Sequence, residues 1–111
     1  SQAGQTGYHR HGRLEAHYHL GKYDFFKWRH PEAAAHFAAV DSLAAIVGAG
    51  RKRDQAYAAL ANLLLGQVRD LEGRRAEAIA RYERVRALPD YAESRERAKR
   101  YLKEPYRDGA E

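Results

Sequence analysis

One spacing occurs twice in this chain, and it limits the possible folds more than composition does. Leu20-Gly21 is followed by Ala33, Phe37 and Val40, and Leu65-Gly66 by Ala78, Tyr82 and Val85. Counted from the glycine, the alanine, the aromatic and the valine fall 12, 16 and 19 positions later in both copies. Self-similarity at a fixed spacing marks a repeated supersecondary unit. Here the unit reads as a helical hairpin. A glycine lets two helices approach closely, a small alanine sits where they cross, and the aromatic fills the space between hairpins.

The rest of the chain fits helices. Only three prolines occur, Pro31, Pro89 and Pro105, and each falls where a helical pattern starts or stops. Residues 1–12, with Gly4, Gly7 and Gly12, read as a flexible N-terminal arm. Pro31 followed by Glu32 opens a helix at a first-turn position, and Phe37, Val40, Ala44 and Val47 continue it at intervals of three and four. Gly48 and Gly50 end that helix. Asp54 is the expected N-cap of a third helix carrying Tyr57, Leu60, Leu64, Val68 and Leu71. Gly73 breaks it. A fourth helix carries Ala78, Ile79, Tyr82 and Val85 up to Pro89, and Asp90 caps a fifth with Tyr91, Ala98, Tyr101 and Leu102. No stretch alternates with period two long enough for a strand.

This spacing resembles the tetratricopeptide repeat (TPR), which has a Leu-Gly pair in its first helix and a small residue, an aromatic and another small residue in its second. The second copy is the better match, with Gly73 at the turn, Ala76-Glu77-Ala78-Ile79, Tyr82 and a late Pro89. The first departs from the pattern at His17 and Asp24, and Arg69, Val40 and Val85 are further departures. The glycines lie 45 residues apart, about 11 more than the family period, or close to three helical turns. The surplus is placed between Val40 and Leu60, where it lengthens helices and keeps their buried faces aligned. The resemblance implies an all-α fold, a right-handed stack of antiparallel hairpins at about 14–47 and 54–89. A capping helix at 90–103 closes the domain of 13–103, and 104–111 form a tail. Gly21, Ala33, Phe37, Gly66, Ala78 and Tyr82 define the repeat.

Chemistry is not written into the residues. Cysteine is absent, which removes thiolate catalysis, thiolate metal sites and disulfides. Ser1, Ser42 and Ser94 sit in no nucleophile turn, and Gly48-Ala49-Gly50-Arg51-Lys52 lacks the phosphate-loop spacing. Of the six histidines, His17 and His19 stand on opposite helix faces. His9 and His11 could chelate in an arm, but no acidic residue beyond Glu15 accompanies them. No enzyme activity, cofactor or metal is expected. No run approaches the roughly 18 apolar residues of a membrane span, which leaves cytoplasm and periplasm both open. Lys and Arg outnumber Asp and Glu by 20 to 15. Pairs such as Glu93/Arg97 and Glu96/Arg100, acid first at i, i+4, suit a solvated helix face. Arg51-Lys52-Arg53 lacks an interleaved aromatic platform, which disfavours nucleic acid.

In the family the first helix of each hairpin lines a concave groove. By that register Tyr18, Lys22 and Phe25, with Leu63, Gln67 and Asp70, would face a protein or peptide partner. The groove lacks the Lys/Asn/Arg pattern of family members that clamp a C-terminal carboxylate. The expected function is a scaffold for protein–protein interaction, as the C-terminal part of a larger bacterial-type protein. The alternatives are a basic module binding nucleic acid or another polyanion, and a regulatory appendage of an enzyme. The apolar excess of the third helix (Leu60, Leu63, Leu64, Leu65, Val68, Leu71) exceeds one narrow stripe and predicts an exposed patch. Together with Phe25 and Phe26 it would drive self-association into a homodimer.

Overall fold

A computed structural model describes residues 2–47 and 52–107, with side chains described at 13–46 and 52–107. Among them there are five helices and no strand: α1 (Gln2–Phe26), α2 (His30–Val47), α3 (Lys52–Leu71), α4 (Arg75–Ala87) and α5 (Ser94–Lys103). Helix α1 is 25 residues long, and its first residues lie in the stretch expected to be an arm. Each helix packs on its neighbour in sequence, and α3 also touches α1 and α5. Helix α2 has 18 residues and α4 has 13. Gly48, Gly50 and Arg51 lie outside the described residues, as do His9 and His11 as side chains.

The repeat spacing has a direct steric cause. A Cβ at Gly21 would lie 2.6 Å from Cε1 of Phe37, and one at Gly66 would lie 2.7 Å from Cδ1 of Tyr82. Both are nearer than atoms can pack, so each ring rests on the bare backbone of its own hairpin. The rings therefore lie within the hairpins as much as between them. Ala33 and Ala78, the crossing residues, are fully buried, as are Phe37 and Tyr82. Burying one such ring stabilises the fold by about 1.5–3 kcal/mol.

The same 45-residue offset holds in features the spacing did not predict. Helix α1 ends with the N–H of Trp28 bonded to the Phe25 carbonyl (3.1 Å) and that of Arg29 to Asp24 (2.8 Å). Helix α3 ends with Gly73 bonded to Asp70 (3.0 Å) and Arg74 to Arg69 (2.8 Å). Both are Schellman turns, which need a left-handed residue: Gly73 supplies it at φ 76°, Trp28 at φ 61°. Across each hairpin a polar pair sits at matching positions. His17 Nδ1 meets His36 Nδ1 at 2.8 Å, and Arg81 donates to Asn62 Oδ1 at 3.2 Å.

Two apolar clusters meet at α3. One joins Leu14, Tyr18, Phe37, Val40 and Ala44 with Ala61, Leu65 and Val68. The other joins Leu63 with Tyr82, Val85, Ala98, Tyr101 and Tyr106. The apolar excess of α3 thus serves two cores, and the exposed patch expected there is absent: Leu63, Leu65 and Val68 are buried. Asp54 is not an N-cap. It lies buried inside the first turn of α3, where a carboxylate suits the helix dipole. Asp90 acts nearer to expectation, accepting the N–H of Arg95 (3.1 Å) and the hydroxyl of Ser94 (3.3 Å). Helix α5, however, starts only at Ser94, which leaves Tyr91 outside it and exposed.

Candidate functional site

The expected groove residues separate in the structure. Tyr18 and Lys22 stay together, with the Lys22 ammonium 5.3 Å from the Tyr18 ring centroid. Phe25 turns toward the cores and lies 6.5 Å from the Tyr106 ring. Leu63 and Gln67 are buried in α3, and so is the side chain of Asp70. These three are interior residues rather than groove wall, because α4, α5 and the C-terminal segment cover their side of α3.

Asp70 is a structural tie. Its carboxylate accepts from the Tyr82 hydroxyl at 2.7 Å, from Arg75 at 3.0 and 3.1 Å, and from the Tyr106 N–H at 2.9 Å. Arg75 also donates to the carbonyls of Tyr101 (2.7 Å) and Leu102 (3.1 Å), which end α5. A buried carboxylate holds its charge only with such a shell. Burial first, then the bond to Asp70, pushes the Tyr82 hydroxyl far above the usual tyrosine range, so it stays a donor.

The surface one to two turns nearer the start of α3 forms a real cleft, of about 560 Å³. Tyr18, Lys52, Arg53, Ala56, Tyr57, Leu60 and Tyr91 line it. An adjoining hollow of about 390 Å³ shares Lys52, Ala56 and Tyr91 and adds Gln55, Pro89 and Asp90. The rings of Tyr18 and Tyr57 stand 4.9 Å apart, with the Arg53 guanidinium 5.7 Å from the Tyr57 centroid. Arg53 also bonds Glu15 at 2.8 Å. Burial, then the neighbouring Tyr57, raises the Tyr18 hydroxyl above its usual value, while Arg97 nearby pulls it down. The cleft is therefore tyrosine-rich and basic, with Lys22, Lys52, Arg53 and Arg97 at or near it.

Sequence reasoning misses Arg53, Tyr57, Leu60 and Tyr91 as cleft residues. Tyr57 and Leu60 read as members of the apolar stripe, and Arg53 as the last of three consecutive basic residues. The signal available is the i, i+3, i+4, i+7 set Arg53, Ala56, Tyr57 and Leu60 on the third helix. An aromatic ring, Tyr57, does stand beside Arg53, with the guanidinium over its face.

A separate, smaller hollow of about 290 Å³ lies at the turn end of the first hairpin, lined by Phe25, Phe26, Trp28, His30 and Leu71. Its counterpart in the second hairpin is filled by the Asp70, Arg75 and Tyr106 tie. Among the described residues no three His, Asp or Glu side chains converge to hold a metal, and no helix is long and apolar enough to cross a membrane. His36 bridges from His17 to Asp24, its Nε2 3.6 Å from the carboxylate. No protein-family description, characterised protein or solved structure matches the chain.

Proposed function

We propose that the chain is a TPR-like interaction module, a stack of two hairpins and a closing helix that binds a peptide segment of another protein. The observation that carries this reading is the basic, tyrosine-lined cleft at Tyr18, Arg53, Tyr57, Leu60 and Tyr91. It lies along first helices of consecutive hairpins, where an array of this kind presents its groove. The matched glycine–aromatic seats and Schellman turns support the stacked-hairpin architecture. Apolar walls with a few charged groups suit a peptide, and the excess of cations suits one with Asp or Glu beside an apolar anchor.

Polyanion binding is the second reading, favoured by Lys52 and Arg53 beside Tyr57. It is weaker because nucleobases need open ring faces. Tyr18 is buried, with Lys22 over its ring, and Arg53 covers Tyr57. The test is selection from a random displayed-peptide library on the 111-residue chain, followed by titration of the enriched peptide and of a single-stranded oligothymidine. We expect acidic–apolar peptides whose binding shifts the Tyr57 and Leu60 resonances and is lost in Tyr57→Ala. No enriched peptide, together with oligonucleotide binding that survives physiological salt, would replace the first reading by the second.

A further inference from the structure

The internal symmetry assigns a second interaction surface, on the opposite flank of α1 from the tyrosine cleft. In α3 the residues Ala61, Leu65 and Val68, at i, i+4 and i+7, are 0%, 1% and 0% exposed. They share an apolar cluster with Ala34, Phe37, Val40 and Ala44 of α2, the helix packed along them. Subtracting the repeat offset gives Ala16, Leu20 and Tyr23 on α1. The fold buries neither large member of that set: Leu20 is 48% exposed and Tyr23 53%, and Ala16 is exposed as well. The same face that seats a helix in the second hairpin is bare in the first. Of the exposed large apolar side chains among the described residues, Leu20, Tyr23, Phe26, Trp28 and Ile46 belong to the first hairpin, and only Ile79 and Tyr91 lie beyond it. A contiguous apolar face of this kind marks an interaction site on a folded chain.

Two further observations identify the occupant. The helix that fills the equivalent position, α2, is rich in alanine, and its only full charges are Glu32 and Asp41, with no Lys or Arg. The rim of the bare face is basic. Lys27 lies 5.6 Å and Arg29 5.8 Å from the centroid of Tyr23, and Arg13 is exposed one turn before Ala16. The counterparts of Arg13 and Lys27 in the second hairpin are Ala58 and Glu72, and only Arg29 has a basic counterpart, Arg74, so two of the three rim cations are particular to the first hairpin. The nearby acids are engaged within the chain, Glu15 by Arg53 and Asp24 by Arg29 and His36. A second copy would bring the same cations against one another across a two-fold axis, and like charges disfavour that contact.

We infer that Ala16, Leu20 and Tyr23 form a docking face for an alanine-rich, acidic helix of a partner protein, seated as α2 is seated on Ala61, Leu65 and Val68. Small side chains let that helix approach closely; in α2 itself Asp41 pairs with Arg81 and Arg84 of α4, so the match to the rim of Arg13, Lys27 and Arg29 is one of net charge. The proposal draws on the repeat offset and the surface alone, so the tyrosine cleft can fail its own test without affecting it.

The probe is the end-capped synthetic peptide of residues 30–47, whose charges sum to −2 with neutral histidine. It is titrated into the isotopically labelled 111-residue chain and followed by amide resonances. We expect saturable shifts centred on Ala16, Leu20 and Tyr23. Reversing the peptide's Glu32 and Asp41 to Lys should weaken binding by about tenfold at low salt. Leu20→Asp in the chain should abolish binding while circular dichroism and the melting temperature stay unchanged, because Leu20 is exposed. Shifts centred on Ala61, Leu65 and Val68 would show the peptide displacing the chain's own α2 and would overturn the assignment. So would equal binding of the Lys peptide, or the absence of any shift at millimolar peptide. Sedimentation showing an unmutated dimer that Leu20→Asp dissociates would identify a second copy as the occupant instead.

Discussion

The His17/His36 contact couples stability to pH. At 2.8 Å between two Nδ1 atoms, one ring donates and the other accepts, so one imidazole must be neutral. Burial, then the charges of His36 and Arg13, lowers the His17 pKa from its usual 6.5. Between the lowered folded value and 6.5 the unfolded chain carries the extra proton. Stability therefore rises with pH through that window and falls on acidification below about 6.5. The second hairpin has Asn62 and Arg81 at these positions, a pair that does not titrate there. Melting temperatures should fall for the native chain as pH drops from about 7.5 to about 5. The slope should flatten in the double variant His17→Asn, His36→Arg, whose introduced guanidinium can also reach Asp24. An unchanged slope in that variant would place the sensitivity elsewhere. Neither pair is legible in the sequence, because polar contacts across a hairpin follow rotamers and helix phase rather than residue spacing. Asp70 is misread as groove wall for the same reason. The register puts it on the correct helix, but only the packed α4 and the returning Tyr106 reveal that its side of the helix is closed.

At the level of elements, the two turns are matched in geometry and mismatched in sequence. Gly73 takes its left-handed position without steric cost, whereas Trp28 brings a Cβ against the following carbonyl, costing about 1–2 kcal/mol. Its indole repays little of that through burial, being 58% exposed. Trp28→Gly should therefore raise the unfolding free energy by about 1 kcal/mol in urea titrations. A loss of stability instead would mean that the hollow lined by Phe25, Phe26 and His30 depends on the ring. Helix existence and order are readable because glycine, proline and apolar spacing act locally. Where α5 begins is not, because the chain at Ala92 and Glu93 adopts left-handed backbone (φ 52° and 61°) that neither residue advertises.

For the whole molecule the deciding element is α3, which is shared by both cores. Its six apolar residues read in isolation as more than one partner could cover, and that excess points to self-association. The structure assigns Leu65 and Val68 to one core and Leu63 to the other. Leu63→Glu should accordingly cost helical signal and cooperative melting in circular dichroism, since it buries an unpaired charge in the second core. A folded, monodisperse variant would mean that the α5 side of α3 is open in solution.

The way Asp70 gathers its partners also bears on the order in which the chain acquires its shape. Most packing joins helices adjacent in sequence, so each hairpin can close over a short loop soon after its second helix appears, and such local topologies fold quickly. Two partners of Asp70, Arg75 and Tyr82, arrive with that hairpin. The third, the amide of Tyr106, lies 36 residues downstream, beyond the whole of α5. Until the ribosome has released that stretch, the carboxylate lacks one of its donors and the second core lacks Tyr101 and Tyr106. The second hairpin can thus hold both of its helices before the last donor to Asp70 is within reach.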